Sequence, residues 1–444
     1  MSLNNKKCDM TPFDMKRKPV KQNIILTPLL WAASYILTRK QGLGKIERTG
    51  MNGIRPPFLV FSTHQGFSDY YIAPRALFPH RANYISDMEG FAAFGNEIYR
   101  QGGCIGKRRY VPDLSVINNV KYALFTLKQP VVIFPESRHC DAGVTSEIPD
   151  NLGNIAKYLG VPVAVLSVHG SYLANPFWDE GHERRSRISA RIELLFTAEQ
   201  IKDTPAEVIQ SEIEKRLQYD EYRYQLENRI IIDAPGRAEG LHLPLYKCIS
   251  CEAEGKMTSS GAVLKCTSCG STWELTELGQ LKDMENGKLL HIPDWYRWER
   301  KETEKEIEEG RYSSDSKVMI EALPNEKGFV SFGTGRLIHD SSGYRLIPDN
   351  MEQTAVKISL DSFPIIIKPH ILESVQTEYN YRGRGKCIVI STRNCCYYCY
   401  GKSPDLIVTK QEFAQEYFYR KAGKTESYQE AVEVYEDYIN LGGD

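Results

Sequence analysis

Four short apolar runs between residues 58 and 196 constrain this chain more than any other feature. Phe58 to Ser62, Val131 to Phe134, Val163 to Val168 and Ile188 to Phe196 each read as a buried strand. The stretches between them are helical. Leu114, Ile117, Leu124 and Leu127 recur at helical spacing behind Asp113, a good N-cap. A second helix starts after Asp150, buries Leu152, Ile155 and Leu159, and stops at Gly160 with Pro162 beyond. Thr204, Pro205 and Glu207 read as a capping box opening a third, which runs to about Asn228. Strands alternating with helices predict an α/β fold, a mixed sheet flanked by helices.

The pattern changes at Asp233-Ala-Pro-Gly-Arg-Ala-Glu-Gly240, which reads as a linker. A small cysteine-paired module follows, then a charged helix from about Asp294 to Glu309. From Ser316 to Val408 short strands are broken by turn signals at Asp340-Ser-Ser-Gly343 and Arg382-Gly-Arg-Gly385. Two helices, near 410–421 and 425–441, close the chain. The strands-then-helix order of this β-rich part resembles a pleckstrin-homology-like barrel. The expected division is a basic and apolar segment over 1–40, an α/β domain over 41–232, the cysteine module over 241–280, and a helix plus β-rich accessory domain over 290–444.

With 41% hydrophobic and 25% charged residues, the 444-residue chain is ordinary globular protein, not disordered, collagen-like or coiled-coil. The run Ile24 to Leu37 is too short and too interrupted to span a bilayer, and no small-residue cleavage site follows it. Charge is uneven: residues 1–120 hold 17 Lys and Arg against 8 Asp and Glu. Such a surplus suits an anionic partner, nucleic acid or lipid. Lys16, Arg17, Lys18 and Lys21 beside Leu26, Leu29, Trp31, Tyr35 and Ile36 favour lipid, as in a helix lying in the membrane interface. The alternative for that run is a buried core helix.

Chemistry gathers at two strand ends. Phe58-Leu-Val-Phe-Ser-Thr-His64 leads into Asp69 five residues later, a carboxylate placed to orient the imidazole and leave its other nitrogen as a general base. Alone, the pair reads better as a capped helix start. Seventy residues on, Val131-Val-Ile-Phe-Pro-Glu136-Ser137-Arg138-His139 ends the next such strand. Together with Gly103-Cys-Ile-Gly-Lys107-Arg108-Arg109 and Gly160-Val-Pro-Val-Ala-Val, these blocks resemble, in order and spacing, the glycerol-3-phosphate and lysophosphatidate acyltransferase family over residues 20–230. The resemblance implies that His64 takes the proton from an acceptor hydroxyl that attacks an acyl thioester, with Asp69 orienting His64. It implies that Lys107, Arg108 and Arg109 hold the acceptor phosphate, that Glu136, Ser137 and Arg138 shape the acceptor site, and that catalysis needs no cofactor. The implied partners are acyl-CoA or an acyl carrier protein as donor, a lysophospholipid acceptor and an anionic membrane surface. Three positions depart from the family pattern: Ser137 stands where glycine is usual, His139 where arginine is, and Thr63 where asparagine is common.

Cys248-Ile-Ser-Cys251 and Cys266-Thr-Ser-Cys269-Gly270 are two Cys-x-x-Cys knuckles at zinc-ribbon separation. Four thiolates close a tetrahedral Zn²⁺ site, so the metal is expected to be structural and separable from the chemistry; a rubredoxin-like iron would use the same ligands. Eleven cysteines, an odd number, with these pairs among them, suit a reducing compartment, the cytoplasm or the cytoplasmic face of a membrane. Cys387, Cys395, Cys396 and Cys399 lie in apolar strands and read as buried. Arg184, Arg185, Arg187 and Arg191 read as a solvated face. The rival to an acyltransferase is a zinc-ribbon scaffold or nucleic-acid binder on a degenerate catalytic domain. The acidic balance after residue 240 disfavours nucleic acid.

Overall fold

The computed structural model describes residues 10–179, 184–349, 361, 363–401 and 406–423. The helix expected over 425–441 lies outside them. Two compact units result. The larger comprises Phe13–Lys107 and Pro112–Arg297; the smaller holds Met1–Pro12, Arg108–Val111 and Trp298–Asp444.

The larger unit is mixed α/β. Its first sheet has seven strands: β1 (Glu47–Thr49), β2 (Leu59–Ser62), β3 (Asn83–Asp87), β4 (Cys104–Lys107), β5 (Val131–Ile133), β6 (Val163–His169) and β7 (Ser189–Phe196). They lie in the order β1-β7-β6-β2-β5-β3-β4. The five strands from β6 to β4 are parallel, whereas β7 runs antiparallel to β6 and carries β1 with it. The central strands are mostly apolar because both faces are covered. Val60, Val132 and Ala164 point to one layer, where α2 (Asp69–Leu77) packs through Ile72, Ala73, Ala76 and Leu77. Leu59, Phe61, Val131, Ile133, Val163 and Val165 point to the other, against Val120, Ala156 and Ile209.

The remaining helices before residue 230 are α1 (Leu26–Lys40), α3 (Met88–Phe94), α4 (Asn96–Gln101), α5 (Leu114–Phe125), α6 (Leu152–Leu159), α7 (Ser171–Ala174), α8 (Ala198–Asp203), α9 (Ala206–Leu217) and α10 (Glu221–Glu227). Asp113 caps α5 through the Ser115 amide, and Gly160 ends α6 in the left-handed region, as expected. The third helix differs. The reciprocal capping box forms at Thr197 and Gln200, opening α8, while the Thr204 hydroxyl instead donates to the Gln200 carbonyl. The long helix expected to Asn228 breaks between α9 and α10, and Tyr219 in that break is buried.

In α1 the buried residues are Thr27, Ser34 and Thr38, one stripe of hydroxyls, while Leu29, Tyr35 and Ile36 stand exposed. Thr38 is held by Arg75 of α2 at 2.8 Å, and Trp31 packs edge-on against Phe78. No helix among the described residues is long and apolar enough to cross a membrane.

The same unit contains a five-stranded antiparallel meander: β8 (Met257–Ser260), β9 (Val263–Cys266), β10 (Thr272–Leu275), β11 (Gln280–Asp283) and β12 (Leu289–His291). It is tied to the α/β layer. Gln225 of α10 and the Ile232 amide both donate to the Glu277 carbonyl, and His291 pairs with Asp220 at 2.8 Å. Gly240, at φ +89, ends the expected linker so close to Trp178 that a Cβ would meet its carbonyl oxygen at 2.1 Å. That segment is packed chain.

The smaller unit is β-rich. Its sheet comprises β13 (Ser314–Leu323), β14 (Val330–Asp340), β15 (Gly343–Pro348), β16 (Ile365–Ile367), β17 (Gln376–Glu378), β18 (Cys387–Ser391) and β19 (Cys396–Gly401), in the order β16-β15-β14-β13-β19-β18-β17. The turn at Asp340–Gly343 joins β14 to β15, as its residues predict. Cys387, Cys395, Cys396 and Cys399 are buried. Helix α11 spans Ile292–Glu308. Helix α12 (Val408–Ala422) then binds the sheet through Glu412 on Thr377 and Glu416 on Ser374.

Candidate active site and metal centre

His64 follows β2 and Glu136 follows β5, so both stand at the C-terminal ends of neighbouring parallel strands, where open α/β sheets place their ligands. His64 is 4% exposed. Its Nδ1 lies 3.6 Å from Oδ2 of Asp69, the first residue of α2. That is longer than a hydrogen bond, a looseness common in catalytic pairs before substrate tightens them. The same Oδ2 accepts the Gln65 and Gly66 amides at 2.5 and 3.0 Å, which holds the carboxylate in place. Burial raises Asp69 from its ordinary 3.8 to about 6, against the lowering influence of those amides, Ser171 and His139.

Glu136 holds the histidine from behind. Its Oε1 accepts the His64 amide at 2.9 Å, and its Oε2 accepts the Ser146 amide at 2.9 Å and the Tyr219 hydroxyl at 2.8 Å. With both oxygens occupied, the residue positions the end of β2. Burial raises Glu136 from 4.5 to about 7, while the three donors favour its ionised form. Glu136→Gln turns an NH₂ toward one of those donors and is expected to cost about 1–3 kcal/mol of stability. An unchanged urea midpoint would contradict this account.

The other expected contacts fall as follows. Ser137 adopts φ 58, a left-handed conformation that glycine takes without strain. The serine hydroxyl donates to the Pro135 carbonyl at 3.2 Å and accepts from Lys107 at 2.9 Å. Arg138 turns inward to Asp141 at 2.8 Å, both buried. Arg108 is buried in the smaller unit, donating to the carbonyls of Arg393 and Asn394 at 2.9 and 3.0 Å. Arg109 is half-buried in the same short segment. The tract at 184–191 is not uniformly solvated, for Arg184 is buried on Asp179 and over the Trp178 ring.

Several site residues have no counterpart in the sequence reading. Tyr70 places its hydroxyl 3.2 Å from His64 Nε2. His139, noted only as a departure, lies with its ring centroid 4.5 Å from that of His64. Tyr219 reaches Glu136 from the break between two helices, which no periodicity signals. Buried Glu221 accepts from Gln65, His169 and the Gly170 amide, joining the ends of β2 and β6.

No protein-family model and no curated protein matches the chain. Among solved structures, the 1-acyl-sn-glycerophosphate (LPA) acyltransferase of Thermotoga maritima aligns at a TM-score of 0.31 and 16% identity, over 43% of this chain and 79% of that one. The likeness is weak. The reading of the site therefore rests on its side chains.

The four-cysteine cluster is compact. All four Sγ atoms of Cys248, Cys251, Cys266 and Cys269 lie within 4.8 Å of one another. Cys248 to Cys269 and Cys251 to Cys266 are each 3.8 Å, close to the edge of a tetrahedron of Zn–S bonds of about 2.3 Å. Each knuckle is followed by a left-handed residue, Glu252 at φ 60 and Gly270 at φ 82. The donor set fits a closed structural zinc.

Proposed function

We propose that this protein is an O-acyltransferase that moves an acyl group from a thioester, acyl-CoA or acyl carrier protein, to the hydroxyl of a lysophosphatidate-like or glycerol-3-phosphate acceptor. The observation that carries the reading is the His64–Asp69 pair at the end of β2, fixed through the His64 amide by Glu136 from the end of β5. His64 is the general base for the acceptor hydroxyl as its oxygen attacks the thioester carbonyl. Asp69 then stabilises the imidazolium, and the proton leaves with the thiolate. Lys107, beside Ser137, and Arg109 are the cations proposed for the acceptor phosphate. The zinc would supply no step of this chemistry, since four thiolates leave it no open coordination position.

The site of action proposed is the cytoplasmic face of an anionic membrane. The outward apolar face of α1, next to the basic N-terminal segment, supports it.

Thiol release by the full chain, with acceptors presented in anionic vesicles, tests the proposal. Lysophosphatidate is expected to turn over and monoacylglycerol to be poor. Arg109→Ala is expected to raise the acceptor KM roughly ten- to a hundred-fold, the value of a charge-assisted hydrogen bond of about 1.5–3 kcal/mol. Equal rates with monoacylglycerol would remove the phosphate assignment.

A further inference from the structure

The catalytic base just described is enclosed. The His64 ring has Phe134 at 4.6 Å and His139 at 4.5 Å between centroids, with Asp69 on the Nδ1 side. On the Nε2 side stands the Tyr70 hydroxyl at 3.2 Å. His64 is 4% exposed, whereas Tyr70 is half-buried. The phenol ring is itself fixed, at 5.7 Å from Phe134 and 5.2 Å from His64, by its place in the first turn of α2. A hydroxyl in that position both donates and accepts.

We propose that Tyr70 is a catalytic residue of the acyltransferase reading, a proton relay between the acceptor hydroxyl and His64. The acceptor O–H proton passes to Tyr70 Oη while the Tyr70 proton passes to His64 Nε2. In the same step the acceptor oxygen bonds to the thioester carbonyl carbon. When the tetrahedral adduct collapses, the C–S bond breaks and the electron pair leaves on sulfur. The imidazolium proton returns through Tyr70 to that thiolate, so thioester and alcohol give ester and thiol with His64 and Tyr70 restored. The two transfers are concerted, because a free phenolate would carry a pKa of about 10 beside an imidazolium of about 6.5.

This relay rests on the acyltransferase reading, and the experiment separates the two. Wild type, His64→Ala, Tyr70→Phe and Tyr70→Ala are compared as full chains for acyl transfer in mixtures of light and heavy water. Tyr70→Phe keeps the ring packing and removes only the hydroxyl. The relay predicts a kcat lower by about 10²–10⁴-fold with little change in acceptor KM. It further predicts a proton inventory that is curved, two protons moving, in wild type and linear in Tyr70→Phe. If Tyr70→Phe keeps wild-type kcat, or if Tyr70→Ala is faster than wild type, the hydroxyl is a cover and the relay is overturned while the acyltransferase stands. A slower Tyr70→Phe with an unchanged inventory also overturns it. Failure of wild type to transfer acyl groups, or full transfer by His64→Ala, overturns both.

Discussion

His64→Ala is expected to abolish acyl transfer while the melting transition stays cooperative, and Asp69→Asn to lower turnover by about 10²–10⁴-fold. Glu136 holds the main-chain amide of His64, so alanine keeps that anchor. Asn at 69 still occupies the space but no longer stabilises an imidazolium. The acid limb of the rate profile carries the same signature. Asp69, raised to about 6 by burial, takes a proton below that pH, so activity falls there. Stability moves the other way. Asp69, Glu136 and Glu221 are all raised by burial, so between their unfolded values near 4 and their folded ones the native state holds more protons than the unfolded chain. Stability from these groups therefore falls as pH rises across about 4 to 7. A melting midpoint that climbs with pH in that window, in parallel with activity, would contradict their burial as the cause.

Removing the metal is expected to reach the catalytic end of the sheet. Analysis is expected to find about one zinc per chain, lost in Cys248→Ser, since four thiolates close one tetrahedral site. Structural zinc binding supplies folding free energy, on the order of 10 kcal/mol in small zinc domains. In this protein the ribbon is no appendage. The Trp273 ring packs on Trp295, whose indole donates to the Lys247 carbonyl, and Glu277 is held by Gln225 of α10. Helix α10 begins two residues after Tyr219, which holds Glu136, which holds His64. Chelation under conditions that hold the rest of the chain folded is thus expected to lower both the melting midpoint and acyl transfer. Zinc loss that leaves activity intact would restore the independence that the linker-like composition of 233–240 suggests.

The layers and the four-cysteine cluster were legible because they rest on local pattern. Continuous apolar runs such as Val131-Val-Ile mark strands covered on both faces, and two spaced knuckles mark four converging thiolates. His64 and Glu136 could be picked out because each follows a buried strand, and Asp69 because it lies five residues beyond His64, where it opens α2. What escaped depends on contacts distant in sequence. Strands β3 (Asn-Tyr-Ile-Ser-Asp) and β4 (Cys-Ile-Gly-Lys) are part polar, so neither stood out. The capping role of Thr204 went to Thr197 because the side chain of Gln200 completes the reciprocal pair there. Arg138 and Arg108, read as substrate contacts from their place in the motifs, are drawn inward by Asp141 and by main-chain carbonyls. Tyr70 follows Asp69 directly, yet only the first turn of α2 brings its hydroxyl back to His64.

Mass-spectrometric detection of the acylated acceptor, formed from acyl-CoA or acyl carrier protein by the purified full chain, tests the central claim most directly. Lysophosphatidate is expected to gain one acyl group with release of one thiol, and the His64→Ala protein to give neither. Folded, zinc-loaded wild type that releases no thiol with either donor and any acceptor, or His64→Ala that matches it in product, would contradict the account and leave the scaffold reading in its place.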